Sequence, residues 1–114
     1  MSTDSKIEEF KTGEEYSNKG ADLWMNQKHE EAIPYFEKAY ELNPNHPQIL
    51  MNYSLVFTRR GEYEKAEELL RKAVELKPDY AEAYDNLGYN MYQQKKMMDA
   101  IPIFEKAIQL KPNW

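Results

Sequence analysis

The apolar residues of the chain recur at helical spacing in segments that short polar breaks separate. Leu50, Tyr53 and Phe57 follow one another at intervals of three and four residues, as on one face of an α-helix. A break follows in "RRGEY", where Gly61 can adopt the left-handed conformation that ends a helix. A second segment, "EKAEELLRKAVELK", stops before Pro78, because the residue before a proline disfavours the helical conformation. This part of the chain therefore predicts two helices joined by a turn.

The same pattern occurs three times with a period of 34 residues. The units span 13–46, 47–80 and 81–114, and an extension of residues 1–12 precedes them. Small and turn-forming residues align in all three units: Ala32, Ala66 and Ala100; Ala39, Ala73 and Ala107; Pro44, Pro78 and Pro112. A fixed period of this length is typical of stacked-repeat proteins. The sequence therefore predicts an all-α fold with six repeat helices.

This pattern closely resembles the tetratricopeptide repeat (TPR). The third unit carries most of that family's pattern, namely Tyr84, Leu87, Gly88, Ala100, Phe104, Ala107 and Pro112. The resemblance implies a right-handed helix-turn-helix solenoid of three units. Departures occur at Ser54, which replaces a glycine, and at Gln27 and Lys95, which replace the turn glycine. These departures concern local packing and turn geometry.

The extension contains a helix-start signal. In "SKIE", Ser5 and Glu8 have the spacing of a capping box, in which each side chain binds the backbone N–H of the other residue. We expect a helix that begins near Ser5 and continues into the first repeat helix. The alternative is a frayed tail.

The third unit has no later unit to cover its last helix. Each unit of a stacked array buries its faces on its neighbours, so part of the apolar set Ile101, Phe104, Ile108 and Leu110 is expected to stay uncovered. Trp114 closes the chain. The chain is interpreted either as a piece of a longer array or as a complete chain, natural or designed. Weak self-association through the third unit is predicted in the second case.

Composition narrows the classes of partner. The net charge of −5 disfavours nucleic acid, which requires a concentrated basic surface. No apolar run approaches the length of a membrane-spanning helix, so no membrane partner is expected. The absence of cysteine excludes disulfides and thiolate metal sites, and it fits a cytoplasmic location.

The sequence carries no recognisable enzyme motif. It contains neither a phosphate-binding Walker loop nor a GxSxG nucleophile motif. His29 and His46 lack a second ligand at metal-binding spacing. His29 stands where the second unit has Tyr63, so it is interpreted as a substitute for a packing aromatic. The chain is therefore predicted to have no catalytic activity, no cofactor and no metal site.

Three asparagines suggest a binding function. In TPR arrays the first helices of the units line a concave groove, and the resemblance places Asn18, Asn52 and Asn86 at one inward position. An asparagine amide both donates and accepts hydrogen bonds, so a ladder of them can bind the backbone of an extended peptide. The alternative is a tolerated polar residue that was repeated by duplication.

The resemblance places further groove residues around this ladder: Trp24, Met25, Met51, Leu55, Arg59, Asp85, Tyr89 and Tyr92. Aromatic and methionine side chains are typical of binding hot spots. The prediction is a scaffold or adaptor that binds a protein partner, as an extended peptide or a helix, in the groove. The alternatives are the substrate-presenting region of a larger enzyme, such as a glycosyltransferase, and a designed self-assembling module.

One specific TPR use is not expected. Adaptors of heat-shock chaperones hold a peptide's C-terminal carboxylate with a basic clamp of lysines, asparagines and an arginine. The corresponding positions in this chain are Ser17, Ala21, Asn52, Glu82 and Asn86. Only Asn52 matches, and Glu82 would repel a carboxylate.

Overall fold

Six α-helices make up the part of the chain that the computed structural model describes, residues 7–111. They are α1 (Gly13–Met25), α2 (His29–Leu42), α3 (Pro47–Arg59), α4 (Tyr63–Leu76), α5 (Ala81–Gln93) and α6 (Met97–Leu110). The odd-numbered helices begin 34 residues apart, and so do the even-numbered helices. The predicted all-α repeat fold is confirmed. Within residues 7–111, no helix is long and apolar enough to cross a membrane.

The helices pack as three pairs that stack side by side. Helix α1 packs on α2, α3 on α4, and α5 on α6, while the α2–α3 and α4–α5 contacts join neighbouring pairs. Helix α1 also contacts α3, and α3 contacts α5. Within residues 7–111 the even-numbered helices have no comparable contact with one another. The first helices of the pairs therefore lie on the inner side of the stack.

A glycine sets the approach of the two helices in the first and third pairs. A Cβ atom added at Gly20 would lie 2.7 Å from Cε1 of Phe36. A Cβ atom at Gly88 would lie 2.8 Å from Cε1 of Phe104. Real Cβ contacts are not this short, so only glycine allows the aromatic ring to lie this close to the facing helix.

In the second helix pair, a serine and a leucine take the positions of the glycine and the aromatic residue. Ser54 occupies the glycine position and Leu70 the aromatic position, and both are fully buried. Because leucine is smaller than phenylalanine, it leaves room for the serine Cβ. The hydroxyl of Ser54 donates a hydrogen bond of 2.6 Å to the carbonyl of Met51, so this buried hydroxyl has a hydrogen-bond partner. The departure at Ser54 therefore fits the fold.

The turn within each pair has one geometry despite its different residues. Gly61 has a φ of 77°, which confirms the predicted left-handed turn. Gln27 and Lys95 have φ values of 65° and 67°, although a side chain in this region costs about 1–2 kcal/mol. In each turn the backbone N–H of the next residue donates to the carbonyl five residues earlier, at 2.8–3.0 Å. The helix-ending geometry is thus common to all three units.

The prediction of a helix that begins near Ser5 and continues into the first repeat helix is wrong for residues 7–12, which are not helical. Helix α1 begins at Gly13, and Thr12 caps it. The Thr12 hydroxyl accepts a hydrogen bond from the Glu15 N–H at 3.2 Å, and the Glu15 carboxylate accepts one from the Thr12 N–H at 3.1 Å. Ser5 lies outside the described residues.

Residues 7–12 form an N-terminal arm that packs on α1 and α2. The ring of Phe10 meets that of Tyr16 edge-on, with centroids 5.2 Å apart. The backbone N–H of Glu8 donates to the Tyr35 hydroxyl at 2.8 Å. The Glu8 carboxylate pairs with the Lys19 ammonium at 3.0 Å. These contacts cover the outer end of the first pair.

The opposite end of the stack is open over the described residues. Ile101 and Ile108 are exposed, and Phe104 and Leu110 are half-buried. The prediction that part of this set stays uncovered is confirmed. Pro112 and Trp114 lie outside the described residues.

Candidate functional site

The predicted groove residues differ widely in accessibility. Arg59, Tyr89, Tyr92 and Asn18 are exposed. The half-buried members are Trp24, Leu55, Asp85 and Asn86, and the buried members are Met51 and Asn52. The structure thus separates residues that can meet a ligand from residues that hold the helices together.

Asn52 lies between helices rather than at the surface. Its side chain is 5% exposed, and its Nδ2 donates a hydrogen bond of 2.7 Å to Oγ of Ser17, which is fully buried. The bond joins α3 to α1. The equivalent of Ser17 in the second unit is Met51, which offers no hydroxyl to Asn86. The three asparagines therefore have different surroundings, although they share one position in the repeat.

A second polar contact joins α3 to α5. The Thr58 hydroxyl donates to Oδ1 of Asn90 at 2.9 Å, and Nδ2 of Asn90 donates to the backbone carbonyl of Asn86 at 2.8 Å. Asn90 is buried, and it was not among the residues predicted to line the groove. The sequence feature that could have identified Asn90 is a polar residue at a position where the second unit has Val56.

Trp24 and Met51 serve packing. The Trp24 ring stacks on His29, with centroids 4.4 Å apart, and it lies 5.8 Å from the Phe36 ring. The interpretation of His29 as a substitute for a packing aromatic is therefore confirmed. Met51 belongs to a buried core cluster that includes Leu87 of α5.

Asp85 and Tyr92 lie toward the open end of the stack. Asp85 occupies the position of Met51, which is buried in a cluster with residues of α5. Tyr92 occupies the position of Thr58, which contacts α5 directly. No seventh helix follows within residues 7–111, and the Asp85 carboxylate instead pairs with the Lys111 ammonium at 2.6 Å.

The remaining accessible groove residues form what we call the inner strip. It runs across the first helices and offers amides, a thioether, an aliphatic side chain, a guanidinium and a phenol. Its members are Asn18, Met25, Leu55, Arg59, Asn86 and Tyr89. Exposed apolar side chains flanked by hydrogen-bonding groups can hold a peptide segment by side-chain burial and by backbone hydrogen bonds together.

One acidic residue near the inner strip is neutralised by a cation, since the Asp85 carboxylate pairs with the Lys111 ammonium. The Glu14 carboxylate lies 3.1 Å from Nε2 of His46. Glu82 is exposed. The strip therefore carries less uncompensated negative charge than its sequence alone indicates.

Stacked helix-turn-helix pairs with a period of 34 residues and an inner face of first helices define a tetratricopeptide-repeat protein. The chain matches the family model described as "Cytochrome c-type biogenesis protein H TPR domain" over residues 21–113, and it belongs to that family. No curated protein matched the chain in a sequence comparison.

Solved structures share the fold. The second TPR of Spaghetti (RPAP3), bound to the HSP90 peptide SRMEEVD, is 20% identical with a TM-score of 0.79, over 89% of this chain and 94% of that chain. The first TPR of the same protein, with the same peptide, is 25% identical with a TM-score of 0.79, over 90% and 84%. YrrB, described as a TPR protein with an unusual peptide-binding site, is 23% identical with a TM-score of 0.78, over 91% and 54%.

The different surroundings of the asparagines predict different effects of the same substitution. Asn52→Ala removes the bond to Ser17 and leaves a buried hydroxyl unpaired, so the free energy of unfolding should fall by about 1–2 kcal/mol. Asn18→Ala at the exposed equivalent position should change it by less than about 0.5 kcal/mol. Urea unfolding followed by circular dichroism measures both variants. Equal stabilities of the two variants would show that the Asn52–Ser17 bond does not hold α1 and α3 together.

Proposed function

We propose that the chain is a protein-interaction scaffold or adaptor whose inner strip binds an extended peptide or a partner helix. One observation carries this proposal. Met25 is 77% exposed and Tyr89 is 47% exposed on the first helices, on the same side as the amides of Asn18 and Asn86. Large apolar side chains are costly to leave in water, and side chains of these types are enriched at binding hot spots.

The chemistry of the inner strip supports binding and not catalysis. Its members are amides, a thioether, an alkyl group, a guanidinium and a phenol, none of which ordinarily changes its charge near neutral pH. Asn52 contributes by holding α1 against α3, and Asn18 and Asn86 supply the amides that can meet a ligand's backbone. A substrate-presenting region of a larger enzyme would use the same strip, so this alternative differs only in what the bound segment is presented to.

Tyr89 is predicted to supply a large share of the binding energy. Peptides selected from a displayed library on the wild-type chain should bind Tyr89→Ala about tenfold more weakly, because hot-spot truncations typically cost more than 1 kcal/mol. The melting temperature should not change, since the side chain is exposed. Lys72→Ala, at an exposed position on α4, is the matched control and should bind like the wild type. Selected peptides that bind Tyr89→Ala and the wild type equally would contradict the proposal.

The chaperone peptide SRMEEVD is predicted not to bind. Of the positions that would form a carboxylate clamp, Ser17 is fully buried, Asn52 donates to Ser17, and the exposed Glu82 would repel the peptide's terminal carboxylate. Calorimetry should show no binding at peptide concentrations that saturate the first TPR of Spaghetti (RPAP3), which serves as the positive control. Micromolar binding that is lost when the peptide's C-terminus is amidated would contradict this prediction.

A further inference from the structure

The outer side of α6 exposes two large apolar side chains, Ile101 and Ile108, which we call the C-terminal face. Ile108 is 68% exposed and Ile101 is 50% exposed. These residues lie seven residues apart, so they share one side of the helix. The surface lies on a different helix from the inner strip.

The equivalent side of α2 is covered by α3. The rings of Tyr40 on α2 and Tyr53 on α3 are 5.1 Å apart. Val56 of α3 lies in a buried cluster against which Ile33 of α2 packs. Ile49 of α3 lies in a second buried cluster, packed with Tyr40. The positions of Ile33 and Tyr40 correspond to Ile101 and Ile108 on α6. Helix α3 therefore shows what kind of helix fits such a surface.

The equivalent side of α4 packs on α5 through a buried apolar cluster, to which a polar contact is added at one position. Glu67 takes the position of Ile33 and Ile101, and its Oε1 accepts hydrogen bonds from Gln94 at 2.8 Å and from Lys96 at 3.3 Å. The Arg71 Nε donates to the other carboxylate oxygen at 2.7 Å. Both internal junctions are thus largely apolar, and they differ at one position, where Ile33 of α2 is replaced by the buried carboxylate of Glu67 on α4.

Helix α6 carries the apolar version of this surface. Residues 100–107 read "AIPIFEKA" and residues 32–39 of α2 read "AIPYFEKA", which is identical at seven of eight positions. Residues 66–73 of α4 read "AEELLRKA" and share three positions with α6. The outer side of α6 therefore matches the surface that binds α3 and differs from the surface that binds α5.

We propose that the C-terminal face binds a helix of a partner protein that resembles α3. Such a helix carries an uncharged stripe with β-branched and aromatic residues four and seven positions apart, as in Ile49, Tyr53 and Val56. A second folded copy of this chain cannot supply α3, because Ile49 and Val56 are buried within its own core. A second copy cannot offer the outer end of its first pair either, because the N-terminal arm covers it.

The chain itself provides two matched probes. One is a helix-stapled peptide of residues 46–60, which contains α3, and the other is a stapled peptide of residues 80–94, which contains α5. The α5 peptide has Ala83, Leu87 and Asn90 at the corresponding contact positions. The full chain should bind the α3 peptide at least about tenfold more tightly than the α5 peptide, measured by fluorescence anisotropy.

Three substitutions on α6, one of them a control, locate the binding. Ile101→Glu introduces the residue type of Glu67 and should weaken binding of the α3 peptide about tenfold or more. Gln109→Glu adds the same charge on the same helix and should have no effect, because Glu41 and Glu75 at its equivalent positions stay exposed where α3 and α5 pack on their helices. Ile108→Glu is a second variant at an exposed position, and melting curves should show that all variants are folded.

Three outcomes would overturn this proposal. They are equal affinity for the two peptides, no effect of either Ile101→Glu or Ile108→Glu, and a dimer of the chain alone that Ile101→Glu dissolves in sedimentation. The last outcome would assign the C-terminal face to a second copy. Library peptides that bind the inner strip should bind Ile101→Glu like the wild type, so failure here is distinguishable from failure of the proposed groove function.

Discussion

The spacing of the two helices in each unit depends on the contact between a small residue on the first helix and a large residue on the second. In the outer units a glycine faces an aromatic ring, Gly20 with Phe36 and Gly88 with Phe104. A methyl group at either glycine would overlap the ring, and buried side chains have little room to move. The spacing within a unit in turn sets where its first helix meets the next unit. The inner strip and the C-terminal face both follow from this repeated contact.

Polar contacts between units then hold the first helices side by side. The Asn52–Ser17 bond and the Thr58–Asn90 bond join α1 to α3 and α3 to α5. A buried hydrogen bond contributes only about 1 kcal/mol in net terms, but a buried polar group without a partner costs more than that. Such bonds therefore favour one arrangement of the units over others. The groove is consequently held partly by residues that a ligand does not need to touch.

The repeat period and the helices could be predicted from the sequence because spacing, turn residues and small residues recur at one interval. The start of the first helix could not be predicted, since "SKIE" and "TGEE" both fit a capping box. The contacts of Phe10 and Glu8 with α1 and α2 favour the helix start at Thr12 over the one at Ser5. These are tertiary contacts, which a local sequence pattern does not reveal. The different surroundings of the three asparagines were also hidden, because the partner of Asn52 is 35 residues away in sequence. Local patterns identify polar positions but not the neighbours that satisfy them.

A double-mutant cycle in the second unit tests the size matching most directly. Leu70→Phe alone should overpack Ser54 and lower the free energy of unfolding by about 1–3 kcal/mol. Ser54→Gly alone should cost about 1 kcal/mol, because it places glycine within a helix and leaves a gap. The double variant recreates the glycine–phenylalanine pair of the outer units, so it should be at least about 1 kcal/mol more stable than the sum of the single effects predicts. Additivity within about 0.5 kcal/mol in urea unfolding would contradict the account.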